Sequence, residues 1–218
     1  MDLTTIQKFS VWILPALFAI TVHEAAHGYA ARYFGDHTAE RMGRLSLNPL
    51  RHIDPIGTVI LPVVMFFLVG FIFGWAKPVP VDARNMRNPR GNMAWVALAG
   101  PGSNLAMAIF WALMMSAGHA LAGMGVSEIA VPLALMGQAG VTINLLLMLF
   151  NLMPIPPLDG GRVMVSVLPP ALGAQLARVE PFGLIILILL LVTGVLWTVL
   201  LPLLIAMSDF IIGLFGPG

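Results

Sequence analysis

The chain has 218 residues, 59% of them hydrophobic and only 10% charged, with a formal net charge of +1 and a mean hydropathy of +0.93. That composition excludes an ordinary soluble domain and describes a polytopic protein of the lipid bilayer. Near-neutral charge without a basic run interleaved with aromatics excludes nucleic acid as a partner, and the absence of cysteine restricts any metal site to histidine and carboxylate ligands.

The first apolar run covers residues 9–33. It follows Asp2, Thr4 and Thr5 instead of a basic stretch, and no small-residue cleavage site comes after it, so a retained membrane helix is expected and not a signal peptide. Inside it stands His23-Glu24-Ala25-Ala26-His27. Residues four apart on a helix share a face, so both imidazoles can bind one Zn²⁺, with Glu24 beside the water that the metal activates. That makes Glu24 the candidate general base. The alternative is a pair of packing histidines, but an ionisable trio at membrane depth is costly and points to function.

Four more apolar stretches follow, at residues 55–75, 93–118, 129–153 and 181 to about 215. Each of the first three is near or above the length that crosses a bilayer, and the last holds one span plus a shorter segment after Pro202. Basic residues concentrate in cytoplasmic loops. Arg32, Arg41, Arg44 and Arg51 precede residues 55–75, and Lys77, Arg84, Arg87 and Arg90 follow them. Both loops therefore read as cytoplasmic, and residues 55–75, interrupted by Pro62, Gly70 and Gly74, should dip into the membrane and return. Residues 119–127 then fall outside, while Arg162 and Arg178 return inside. The expected fold is an all-α polytopic membrane protein of about five to six membrane segments, one of them re-entrant.

A third protein ligand is needed. The soluble pattern with Gly and His three and six residues beyond the second His fails, because Ala30 and Tyr33 stand there. Asp159 is the best-placed candidate: in Asn151-Leu-Met-Pro-Ile-Pro-Pro-Leu-Asp159-Gly160-Gly161 three prolines should unwind the helix end, on the side toward which His23 and His27 lie. Asp159 could instead cap the next helix. His119 is expected on the opposite side, and Glu128, Glu180 and Asp209 lack comparable context.

These two motifs together, His-Glu-Ala-Ala-His-Gly and Asn151 to Gly161, resemble the site-2 protease family of intramembrane zinc metalloproteases. Further similarity runs through Gly43-Arg-Leu-Ser-Leu-Asn-Pro-Leu, Asp54-Pro-Ile-Gly, Gly74-Trp-Ala-Lys-Pro-Val-Pro-Val and Ala99-Gly-Pro-Gly-Ser-Asn104. The match looks closest to the small prokaryotic branch without a PDZ or nucleotide-sensing domain. It implies one zinc ion per chain held by His23, His27 and Asp159, with Glu24 as catalytic base. It also implies substrate-proximal roles for Asn104 and Asn151, although Asn104 could satisfy backbone at a helix start after Gly100-Pro101-Gly102, and Asn151 could bond a neighbouring span. A single membrane-embedded domain, residues 1–218, is expected, with its catalytic core at about 9–165 and C-terminal membrane segments at about 181–215. The site would open to the cytoplasmic side of a prokaryotic cell membrane.

The family's substrate is a transmembrane segment of another protein, whose helix must be opened before its carbonyl can meet the metal. An edge strand would meet that need by pairing with the unwound chain. Residues 44–48 and 76–81 have strand-like composition, and Pro78 and Pro80 suit an edge, so a small membrane-embedded β element is expected there. Two competing readings are a metal transporter and a membrane zinc peptidase acting on substrates without a membrane span. Transport calls for a string of ligands along a path, and one compact cluster is apparent.

Overall fold

The structure is a computed structural model and describes residues 5–60, 64, 67, 74 and 76–217. Its first helix, α1 (Thr5–Tyr33), has 29 residues, about 43 Å at the usual rise. It stops where Gly35 takes a positive φ of 106°, a conformation that side chains resist. The Asp36 amide turns back to the Ala31 carbonyl at 2.9 Å, closing the last turn. A short helix α2 (Thr38–Arg41) follows, then a 3₁₀ turn at Pro49–His52 and a π-helical turn at Pro55–Ile60. Most of the expected re-entrant segment, residues 55–75, lies outside the described residues.

Helix α3 (Pro89–Gly123) is opened by Asn88, whose side chain accepts from the Gly91 amide, and by Pro89 in its first turn, where a missing N–H costs nothing. It runs 35 residues without a break through Gly100-Pro101-Gly102, so that tripeptide does not start a helix. Helix α4 (Ser127–Asn151) returns against α3 after Gly125. Glycine sets how closely the two approach: a Cβ at Gly137 would stand 2.6 Å from the Met115 backbone nitrogen, and one at Gly140 only 2.1 Å from the Trp111 ring. Close approach through small residues is how helices gain packing energy where lipid removes the hydrophobic drive. Ala108, Trp111, Ala112, Val141, Leu145 and Met148 form the resulting core, joined by Ile211.

The chain then forms α5 (Asp159–Val167), α6 (Pro170–Ala177), α7 (Glu180–Val192) and α8 (Val195–Phe215). Gly194, with φ 77°, separates α7 from α8. The end of α8 returns to α3, where the Ser116 hydroxyl donates to the Phe215 carbonyl at 2.9 Å. The described helices long and apolar enough to cross a membrane are Pro89–Gly123, Glu128–Asn151 and Val195–Phe215, with Pro170–Ala177 and Glu180–Val192, bent by 65°, as a broken fourth. Among the described residues the protein is thus an all-helical membrane protein with three such spans, or up to four; the five to six segments expected from the sequence are not confirmed. Helix α1 has the length, but its second half carries His23, Glu24 and His27.

Among the described residues no strand forms. Residues 44–48 and 76–81 do lie side by side, but the tie between them is a side chain: Arg44 Nη2 donates to the carbonyls of Lys77 at 3.0 Å and Pro78 at 3.3 Å. Pro78 and Pro80 have no N–H with which to extend a ladder.

Candidate metal centre

The structure brings His23, His27 and Asp159 together. On α1 the two Nε2 atoms point to one spot, 3.0 Å apart. Asp159 Oδ2 stands 3.2 Å from the first and 3.3 Å from the second. All three side chains are buried. Asp159 arrives as the first residue of α5 and caps nothing. The start of that helix is pressed onto the proline-rich turn before it: a Cβ at Gly160 would stand 2.1 Å from the Leu152 carbonyl oxygen, and one at Gly161 2.2 Å from the Pro156 nitrogen. Both glycines are thus needed for the aspartate to reach the histidines.

The protonation pattern follows from the far side of each ring. His27 Nδ1 lies 2.7 Å from the Val96 carbonyl, an acceptor only, so Nδ1 carries the proton. His23 Nδ1 lies 2.6 Å from Asn104 Oδ1. The Asn104 amide is fixed in that sense because its Nδ2 donates to the Ala19 carbonyl at 3.3 Å and to Asn144 Oδ1 at 3.0 Å. Asn144 in turn donates to the Gly140 carbonyl at 2.8 Å. With both Nδ1 atoms protonated, neutral imidazoles present only lone pairs at Nε2. Asp159 Oδ2, buried and without a hydrogen-bond partner, adds another.

Three acceptor atoms converging with no hydrogen among them repel one another unless a cation sits between them. Tetrahedral ligands about 2.0–2.1 Å from zinc lie about 3.3 Å apart, close to the separations found. The donor set thus fits zinc and leaves a fourth position open. Gly100 of α3 gives both imidazoles room: a Cβ there would stand 2.5 Å from His27 Nε2 and 2.6 Å from His23 Cε1. Glu24, half-buried, follows His23 about 100° around the helix, and its Oε2 accepts from the Val79 amide at 2.8 Å.

Of the residues expected near substrate, Asn104 is fully buried and engaged with His23, Ala19 and Asn144. Asn151, half-buried, donates to the Leu147 carbonyl one turn back at 2.9 Å. Asn144, Gly100 and the Val79 amide escaped the sequence reading. Asn144 did leave a signal, as an amide in the middle of an apolar span. Beyond the site, the carboxylate of Asp36 joins the end of α1 to residues 82–85. It accepts from the Thr38 amide at 3.0 Å and Thr38 hydroxyl at 2.5 Å, from Asn85 Nδ2 at 3.0 Å and from the Asp82 amide at 2.7 Å.

No family model and no solved structure matches the chain. Among curated proteins it is 38% identical over 204 residues to "Putative zinc metalloprotease YwhC" of Bacillus subtilis (strain 168), covering 94% of this chain and 90% of that one. It is 32% identical over 200 residues to "Putative zinc metalloprotease Rip2" of Mycolicibacterium smegmatis, covering 88% and 70%. The Rip2 of Mycobacterium tuberculosis (strain H37Rv) is 32% identical over 178 residues, 80% of this chain and 63% of that one. With these relatives and with a buried His-His-Asp group that can take Zn²⁺, the chain is a zinc metalloprotease of the membrane and belongs to the site-2 protease family.

Proposed function

We propose that the protein is an intramembrane endopeptidase that cuts peptide bonds in or near transmembrane segments of other proteins. In this reading His23, His27 and Asp159 hold one zinc ion, Glu24 is the general base, and the site faces the cytoplasmic side of a prokaryotic cell membrane. The observation that carries it is the convergence of His23 Nε2 and His27 Nε2, from a helix of membrane-crossing length, with Asp159 Oδ2 from the start of α5, and with the Glu24 carboxylate next to His23 in sequence. Zinc held there supplies Lewis acidity, polarising the scissile carbonyl and acidifying water. Glu24 takes the proton from the attacking water and passes it to the leaving amine. The buried amides of Asn104 and Asn144, with the Val96 carbonyl, hold both imidazoles in the tautomer that leaves Nε2 free.

The substrate class rests on depth. A polar cluster buried between apolar helices meets a substrate that is itself in the membrane more readily than a soluble chain. The test uses detergent-purified protein and a single-span reporter polypeptide with glycine and proline in its span. Glu24→Gln should keep about one zinc per chain and lose cleavage. A metal carrier would work unchanged with glutamine there, and cleavage only of soluble chains would assign the site to a peptidase of another substrate class.

A further inference from the structure

Glu24 and Gly28 are four apart, on one face of α1, and that face is covered by loop. A Cβ at Gly28 would stand 2.8 Å from Leu45 Cδ1 and 3.0 Å from Val79 Cγ1, so the glycine of His-Glu-Ala-Ala-His-Gly lets both loop segments close on the helix. Val79 is buried, and its amide donates to Glu24 Oε2 at 2.8 Å. Because Val79 stands between Pro78 and Pro80, this amide is the only backbone donor in the three-residue run. The run is also anchored just upstream. The Lys77 amide donates to the His52 carbonyl at 2.8 Å, and Arg44 Nη2 holds the carbonyls of Lys77 and Pro78 at 3.0 and 3.3 Å.

We propose that the Val79 amide is the positioning group for the Glu24 carboxylate, and that Arg44 keeps this amide aimed by gripping the two carbonyls before it. A free glutamate samples several rotamers, most of them useless for proton transfer. A charge-assisted N–H···O⁻ bond to one oxygen fixes the carboxylate plane and leaves proton exchange to Oε1. The prolines on either side stiffen the run and remove competing donors. Pro78-Val79-Pro80 is thus a one-donor device, and its sequence signature is the isolated N–H.

This inference rests on Glu24 being the base, and the experiment separates the two claims. Zinc-loaded protein in detergent is assayed on the single-span reporter, with zinc per chain, kcat and KM measured for each variant. Replacing the residue 79 amide by an ester, which deletes the N–H but keeps the valine side chain, should lower kcat about 10- to 100-fold, the effect of one charge-assisted hydrogen bond. Zinc should stay, and KM should change by less than about threefold. Val79→Pro should act in the same direction and Val79→Ala, which keeps the N–H, should restore most of kcat. Independently of turnover, the infrared carboxylate band that disappears in Glu24→Gln should shift in the ester protein.

Full kcat and an unmoved band in the ester protein would overturn the proposal while leaving the base reading intact. Loss of zinc with loss of kcat would also overturn it, by making the amide a structural tie. Cleavage retained by Glu24→Gln would remove the base reading itself. Undiminished kcat in Arg44→Ala would remove the role given to Arg44.

Discussion

Two faces of α1 are built on different principles. The face that carries His23 and His27 meets the long helices α3 and α4, and every polar atom behind it is buried: Asn104 and Asn144 have no exposed surface, and His27 leans on a backbone carbonyl. The face that carries Glu24 and Gly28 meets irregular chain, held by Arg44 and by three carbonyls and two amides of residues 52 and 77–79. Helix packing fixes position to fractions of an ångström because moving one side chain disturbs many contacts. A loop held by a few hydrogen bonds can be displaced at far smaller cost. By packing, the half that gathers His23, His27 and Asp159 is the rigid one, and the loop half that carries Glu24 is tied by a small number of hydrogen bonds.

The sharpest way to break this contrast is to remove a ligand from the rigid half. Asp159→Ala should take zinc from about one per chain to a small residue, since two histidines alone seldom hold the ion. Elemental analysis of carefully handled protein decides this, and full occupancy without Asp159 would mean that the acceptors do not act as one site. Gly100→Ala comes next. The added methyl has no room beside either imidazole, and overpacking of this kind forces side chains off their minima. Zinc affinity should fall roughly tenfold or more by competition with a chelator, although residue 100 has no ligand atom.

Deeper in the same half, Asn144→Ala should weaken zinc binding about 10-fold, within the range of outer partners of metal-ligating histidines. It leaves the Asn104 amide with the Ala19 carbonyl alone and so less firmly aimed at His23 Nδ1. Asn104→Ala, which removes the contact itself, should cost more. Equal affinities in both variants and wild type would show that the histidines need no support from α3 and α4, and the contrast between the faces would lose its basis.

How far the sequence carried the reading depends on which kind of group does each job. The His-Glu-His spacing was legible because one helix sets it locally. Asp159 was legible because prolines 154, 156 and 157 announce an unwound end facing the same side. The Asn104–Asn144 contact joins residues 40 apart across two helices, and no local pattern reports it. The Val96 carbonyl and the Val79 amide are backbone groups, which carry no residue identity at all. Gly100-Pro101-Gly102 suggested a helix start, yet the helix passes through, because neighbouring helices in a membrane protein support a turn that a proline has weakened. The expected β element is not confirmed, since residues 44–48 and 76–81 form no strand, and the reason is related. A strand-like composition offers side chains suited to a sheet, but Pro78 and Pro80 remove the donors, and Arg44 supplies the tie instead.

The smallest expected effect lies at the margin of the loop half, where Asp36 links the end of α1 to residues 82–85. Burial pushes its carboxyl up, but hydrogen bonds from the Thr38 hydroxyl, Asn85 side chain, Asp82 amide and Thr38 amide outweigh it and hold the group below the usual carboxylate range. A depressed folded-state value means that the ionised form stabilises the link. That contribution is fully present above the unfolded value of about 3.9 and is lost as pH falls through the folded one. Amide exchange at residues 82–85 should therefore quicken by a few-fold as pH drops from 5 toward 3, after correction for the intrinsic pH dependence of exchange. Asp36→Asn should show the faster exchange already at pH 5 and little further change. Because the zinc-holding face does not pass through this carboxylate, zinc bound at pH 5 should be the same in both proteins. A parallel loss of zinc in Asp36→Asn would mean that the loop half and the metal half are one cooperative unit after all.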